Sequence, residues 1–231
     1  MSPQVALSKA LQGEGLRARC TIGLLVGTIV LDVVSFALLS SQASLLYHAS
    51  VGETVSQAEA AANDARVALV GQLSLALFVV TAISFLMWFY SAYRNLSLVG
   101  SRKTKLSAGS ATGDWFIPFL NLVRPYRNVA ELWHRTQNQN RLESVADLSA
   151  PGVVLWWWLT FLSANLIAQF ASSQSTSDRS LKGLSAMTDW FMAYHFVHVA
   201  AAVLAIMLVL AIHEGQRHFE GVAPPPPLSS P

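Results

Sequence analysis

Four stretches of the chain are apolar over a length that crosses a lipid bilayer. They cover residues 21–40, 67–93, 153–171 and 190–212, and Asp32 is the only Asp, Glu, Lys or Arg within them. A helix needs about 20 apolar residues to span the hydrocarbon core. Buried helices of soluble proteins are usually shorter and amphipathic. The pattern therefore predicts an all-α integral membrane protein with four transmembrane helices, arranged as two hairpins.

Lysine and arginine are distributed unevenly between the segments that separate these helices. Of 15 such residues, twelve lie before the first helix, in the central loop 94–150 or after the fourth helix, and Arg66, Arg179 and Lys182 lie elsewhere. Cytoplasmic loops carry the excess of positive charge. The bias predicts a cytoplasmic segment 1–20, a membrane domain 21–215 with a cytoplasmic loop 94–150, and a cytoplasmic Pro-rich tail 216–231. The same bias predicts outer loops at 41–66 and 172–189.

Residues 1–43 have the positive start of a signal peptide. Their apolar core is about twenty residues, longer than the usual 7–15, and Asp32 interrupts it, which favours an uncleaved first helix. The single cysteine, Cys20, excludes an intrachain disulfide and a cysteine zinc site. No nucleophile elbow, phosphate loop, zinc-protease motif or dinucleotide fingerprint is present. These observations predict a non-enzymatic protein with no cofactor and no metal.

The central loop contains an apolar stretch that is too short to span a bilayer. In "DWFIPFLNLVRPYRNVAELW", Pro125 suits the first turn of a helix. Tyr126, Val129, Ala130 and Trp133 then share one face, while the opposite face carries Arg127, Asn128, Glu131 and Arg135. We expect an interfacial amphipathic helix that rests on anionic headgroups of the cytoplasmic leaflet. The predicted lipid contacts are Trp115, Arg124, Arg127, Trp133 and Arg135. The scattered basic residues do not favour nucleic acid as a partner.

The same region resembles a known family. "FLMWFYSAYRNLSLVG", followed by "GDWFIPFLNLVRPYRNVAELW" and the Trp-rich "VVLWWWLTFLSAN", is similar to a bacterial membrane family known as domain of unknown function 4328. The resemblance covers about residues 65 to 215 and implies four membrane helices. It implies no chemistry.

Polar residues within the apolar stretches are candidates for a shared site. A carboxylate at the bilayer centre costs ~2.5–3.5 kcal/mol on insertion scales, so Asp32 should face protein. Counted from the outer helix ends, Asp32 and His198 lie at a similar depth of ~12 Å and Asn165 at ~9 Å. The predicted intramembrane cluster is Asp32, Asn165, His195 and His198. It forms only if the first and fourth helices are neighbours.

Three interpretations of this cluster remain open: hydrogen bonds that hold helices together, a conduit for protons or a small solute with Asp32 and His198 as titrating partners, and a metal or haem site. At the level of function, the sequence favours a non-enzymatic bacterial inner-membrane scaffold or membrane component. The alternative is a small proton-coupled transporter or channel. Small residues such as Gly23 and Gly27 permit close helix packing, which leaves a second copy or another membrane protein open as a partner.

Overall fold

A computed structural model of the chain describes residues 3–99, 104–137, 152–177 and 180–221. Within these ranges the chain is helical and contains no strand. The α-helices are α1 Pro3–Ser50, α2 Gln57–Leu98, α3 Ala108–Gly113, α4 Arg124–Gln137, α5 Gly152–Ser177 and α6 Leu181–Arg217. Two 3-10 turns cover Leu120–Leu122 and His218–Gly221. The predicted tail beyond residue 221 lies outside the described residues, as does Arg141.

Four of the described helices, α1, α2, α5 and α6, are long and apolar enough to cross a membrane. This agrees with the all-α class and with the four predicted spans. α1 has 48 residues, or ~72 Å at 1.5 Å per residue, which is more than twice the ~30 Å hydrocarbon thickness. The predicted N-terminal segment is therefore continuous with the first helix. α2 begins at Gln57, inside a stretch whose Ala and Glu content favours helix.

The chain divides into two compact units that gather segments distant in sequence. The first unit comprises Met1–Gly23, Thr81–Leu155 and Ile206–Pro231. The second unit comprises Leu24–Val80 and Trp156–Ala205.

In the first unit, α4 is docked on the ends of α2 and α6. Tyr93 on α2 donates its hydroxyl to Glu131 Oε2 at 2.9 Å, and the Gln137 amide donates to the Ala211 carbonyl of α6 at 2.9 Å. Gly215 allows this approach, because a Cβ there would lie 2.7 Å from Thr136 Cγ2 and 3.1 Å from the Thr136 carbonyl oxygen. A side chain at position 215 is therefore incompatible with the observed packing.

In the second unit, small residues line the contacts between helices. Ala164 and Ala171 of α5 and Ala201, Ala202 and Ala205 of α6 are buried. Small side chains let helix backbones approach closely where no hydrophobic effect drives association. The α5–α6 contact also includes Phe170 against Trp190, edge to face, with centroids 4.9 Å apart.

We predict that Gly215→Ala destabilises the protein relative to Gly23→Ala. Both changes replace a helical glycine and gain up to ~1 kcal/mol in helix propensity. Only position 215 is overpacked, at a typical cost of ~1–3 kcal/mol, whereas a Cβ at Gly23 meets nothing within 4 Å. Thermal unfolding of both variants in one detergent measures the difference. Equal midpoints would show that α4 does not dock at Gly215.

Candidate functional site

One carboxylate and two imidazoles meet inside the second unit. Asp32 lies on α1, and His195 and His198 lie three residues apart on one face of α6. Asp32 Oδ1 is 2.8 Å from His195 Nδ1, and Asp32 Oδ2 is 2.9 Å from His198 Nδ1. Asp32 and His195 are buried, with 3% and 8% of their surface exposed. The structure thus brings together three of the four residues predicted for the cluster.

The geometry restricts where protons can sit. An ionised carboxylate only accepts hydrogen bonds, so both Nδ1 atoms must carry hydrogen when Asp32 is charged. Both oxygens of Asp32 are then in use, and Nε2 is the ring nitrogen of each histidine that remains for a further partner. Nε2 accepts when the ring is neutral and donates when the ring is protonated.

Aromatic contacts hold the two imidazoles in place. Tyr194 stacks on His198 with centroids 5.1 Å apart and planes 19° apart, and it meets His195 edge to face at 4.9 Å. Phe78 of α2 lies 6.5 Å from His198, centroid to centroid. The rings are therefore fixed by packing as well as by Asp32.

The cluster forms part of the wall of a cavity of about 370 Å³. This volume falls in the ~300–1,000 Å³ range of small-molecule sites. Most of the lining is apolar and comes from α1, α2 and α6. The polar side chains in the lining are Thr28, Asp32, Ser35, Gln42, Ser74, Asn165, Tyr194, His195 and His198. A mostly apolar cavity with a few convergent polar groups is typical of a ligand site.

Asn165, the fourth predicted residue, lines the cavity but does not bond to Asp32. Its Nδ2 donates to the carbonyl of Phe161, one turn earlier on α5, at 2.8 Å. Two other buried atoms at the cavity are unsatisfied. Among the described residues, neither Gln42 Oε1 nor Ser74 Oγ has a hydrogen-bond partner. A buried polar atom without a partner costs about 1–3 kcal/mol, so both atoms are places where a ligand group would be stabilised.

Gln42 was not predicted because it lies beyond the apolar stretch 21–40. A helical pattern in the sequence does contain it. Asp32, Ser35 and Gln42 follow at i, i+3 and i+10, which places them on one side of α1. Across the part of the chain that the structure describes, no group of three or more His, Cys, Asp or Glu side chains is arranged to hold a metal ion.

A second carboxylate–imidazole pair, which sequence reasoning missed, lies in the first unit. Glu14 is 1% exposed, and its Oε2 is 2.8 Å from His213 Nδ1. Trp88 Nε1 donates to Glu14 Oε1 at 2.8 Å, so both carboxylate oxygens are bonded. The pair again joins α1 to α6. Glu14 is therefore satisfied within the protein.

The residues predicted to contact lipid divide into exposed and covered groups. Arg127 is exposed, and Arg124 is half-exposed while it donates to Asp114 at 2.9 Å. Trp115 and Trp133 are only partly exposed, and the Trp115 ring packs 5.6 Å from Phe85 of α2, centroid to centroid.

Arg135 requires a correction. Its side chain is 4% exposed and its Nε donates to Glu131 Oε1 at 2.9 Å, which contradicts the predicted contact with lipid phosphates. Asn128 and Glu131, also expected on the outward polar face of α4, are buried. Glu131 neutralises Arg135, accepts from Tyr93 and accepts from the Lys105 backbone N–H at 3.2 Å. Because Glu131 and Arg135 satisfy each other, this part of the polar face of α4 packs inward. Arg127 of the same face stays exposed.

The long apolar helices and the cavity between them indicate a membrane protein with an internal polar site. The family model of Domain of unknown function (DUF4328) matches residues 52–214, and the chain belongs to this family. The match contains Asn165, His195 and His198 but begins after α1, so Asp32 lies outside it. No curated protein and no solved structure matches the chain.

Proposed function

We propose that the protein is a small proton-coupled transporter that binds its solute in the cavity of the second unit. One observation carries this proposal: the bonded trio Asp32, His195 and His198 lines a cavity that is also lined by Gln42 and Ser74. Gln42 Oε1 and Ser74 Oγ have no hydrogen-bond partner within the described part of the chain. Histidine is the side chain that ordinarily changes charge near neutral pH. Intramembrane carboxylates and histidines are typical of proton relays in pumps and transporters.

The alternative, that the trio only holds helices together, explains less. Interhelical hydrogen bonds contribute ~0.6 kcal/mol each on average and require no open volume. Here the bonded groups border about 370 Å³ of space, and two buried acceptors at this cavity find no partner among the residues that the structure describes. A binding site accounts for the volume and for the unsatisfied atoms together.

The proposed coupling uses the imidazoles as the groups that gain and lose protons. With Nδ1 of each ring committed to Asp32, a proton enters or leaves at Nε2. That exchange changes Nε2 between donor and acceptor, and so changes what the cavity binds. The solute occupies the remaining space of the cavity. No bond to the solute is made or broken, so the proposed activity is non-enzymatic.

We predict that Asp32→Asn abolishes proton movement. Proteoliposomes that contain the wild-type protein are loaded with a pH-sensitive dye, and a potassium diffusion potential drives proton entry. Their lumen should acidify faster than that of protein-free liposomes. In Asn an NH2 donor replaces one of the two accepting oxygens, so one imidazole loses its acceptor. The variant should therefore match protein-free liposomes. Asp189→Asn makes the same chemical change at an exposed position and should behave as the wild type. If wild type and Asp32→Asn are indistinguishable, the transporter is rejected and the scaffold that the sequence favours stands.

The proposal places the protein in the bacterial inner membrane with α1–α2 and α5–α6 as hairpins and both termini in the cytoplasm. The support is the distribution of Lys and Arg, twelve against three of 15. On this arrangement, segment 94–150 with α4 lies at the cytoplasmic surface.

We further propose that the turn before α4 inserts into the cytoplasmic leaflet beside anionic headgroups. Phe116 and Phe119 are 70% and 85% exposed. Phe119 has a φ of 64° and lies between Pro118 O and Leu120 N, which are 2.8 Å apart. This is a γ-turn with positive φ at its central residue, the rare and strained form. The turn presents Phe119 outward, and the exposed Arg127 of α4 carries a charge that suits a lipid phosphate.

One labelling series tests both placements. Cys20→Ser removes the only cysteine, and single cysteines then replace the exposed residues Ser56, Ser110, Ser180 and Phe119. A membrane-impermeant maleimide on intact cells should label positions 56 and 180, and position 110 only after the membrane is opened. Position 119 should stay unlabelled in both conditions because lipid covers it. Labelling of position 110 in intact cells would show the opposite orientation. Labelling of position 119 as readily as position 110 would contradict insertion of the turn into lipid.

A further inference from the structure

The wall that α2 contributes to the cavity is thin. Seven residues of α2 line the cavity: Val67, Val70, Gly71, Ser74, Leu75, Leu77 and Phe78. No residue between 64 and 80 is buried. By contrast, α1 buries Thr28, Asp32, Ser35 and Leu39 on the same cavity. The side of the cavity formed by α1 is therefore well buried, whereas the side formed by α2 is not.

Several residues of this wall border the cavity and the surroundings at once. Leu75 lines the cavity and is 66% exposed, and Phe78 lines it and is 37% exposed. Gly71 lines it, is exposed, and has nothing within 4 Å of the position of a Cβ. The absence of a side chain at position 71 leaves a gap in the wall.

The surface around this gap is apolar. Leu69, Leu73, Val79 and Val80 are each about half exposed, as side chains that meet lipid tails would be. We infer that the cavity is loaded sideways from the bilayer, past Gly71, by a lipid-soluble molecule with a hydrogen-bond-donating head and a hydrocarbon body. This inference rests on the proposed function and names the class of solute.

The chemistry of the lining supports this choice of solute. Gln42 Oε1 only accepts hydrogen bonds, and Ser74 Oγ accepts as readily as it donates. Both are unpartnered among the described residues, so a donor such as an amine or hydroxyl satisfies them. Leu31, Leu38 and Val67 line the cavity with hydrocarbon and match an alkyl chain. The volume of about 370 Å³ lies near the lower end for small-molecule sites, which suits a single chain.

The test places a thiol in the cavity. On the Cys20→Ser background, Ser74→Cys replaces a hydroxyl by a thiol of similar shape at one of the unpartnered atoms. In sealed proteoliposomes, membrane-permeant N-ethylmaleimide should modify this thiol, and a charged thiosulfonate should not. Reaction with the charged reagent at the same rate would show an aqueous entrance and overturn the lateral one. Failure of both reagents would overturn an accessible cavity.

Three dodecyl compounds then identify the head group. Dodecylamine and dodecanol both donate hydrogen bonds, and both should protect the thiol from N-ethylmaleimide. Dodecyltrimethylammonium has the positive charge and the chain but no donor, and should not protect. Equal protection by all three would reject recognition of a donor.

Filling the gap tests the entrance itself. Gly71→Trp should abolish labelling of the Ser74→Cys thiol, whereas Gly23→Trp should not. Gly23 is also exposed with nothing within 4 Å of its Cβ, but it does not line the cavity. Equal labelling in the two tryptophan variants overturns the Gly71 entrance. The proton-flux assay is separate, so protection without flux retains the site and rejects only transport.

Discussion

The bonding of one buried carboxylate to two imidazoles is the constraint on which the second unit depends. A carboxylate at the bilayer centre costs ~2.5–3.5 kcal/mol on insertion scales. Asp32 is the only Asp, Glu, Lys or Arg between residues 21 and 40 of α1. Both of its oxygens are satisfied by α6, at 2.8 Å from His195 and 2.9 Å from His198. This requirement fixes which faces of α1 and α6 meet. The cavity lies beside this contact, so the interaction that orients the helices also supplies the polar wall of the site.

Much of this arrangement could be predicted from the sequence because intramembrane polarity is expensive. Four apolar stretches predict four long helices, and an isolated Asp32 requires a partner on a neighbouring helix. The sequence also contains a signal for the second pair, Glu14 and His213. Glu14 precedes Asp32 by 18 residues and His195 precedes His213 by the same number. Eighteen residues are five helical turns, which return a side chain to the same face. One pairing of α1 with α6 therefore suggests the other.

The burial of α4 and the cavity could not be predicted in this way. The periodicity of α4 tells which residues share a face, but it does not tell whether protein, lipid or water covers that face. Glu131 and Arg135 are four residues apart and neutralise each other, which lets a polar face turn inward. The gap at Gly71 depends on tertiary packing. From the sequence alone, a glycine in an apolar helix could equally mark a close contact between two helices.

The central claim is that Asp32 is shared by the two histidines within the membrane. Solid-state NMR of ¹⁵N-histidine-labelled protein in lipid measures the protonation of each Nδ1 and its dipolar coupling to the Asp32 carboxyl carbon. We predict hydrogen on Nδ1 of both His195 and His198 at neutral pH, coupling of both rings to Asp32, and loss of both couplings in Asp32→Ala. An unprotonated Nδ1 on either ring, or a ring without coupling to Asp32, would contradict it.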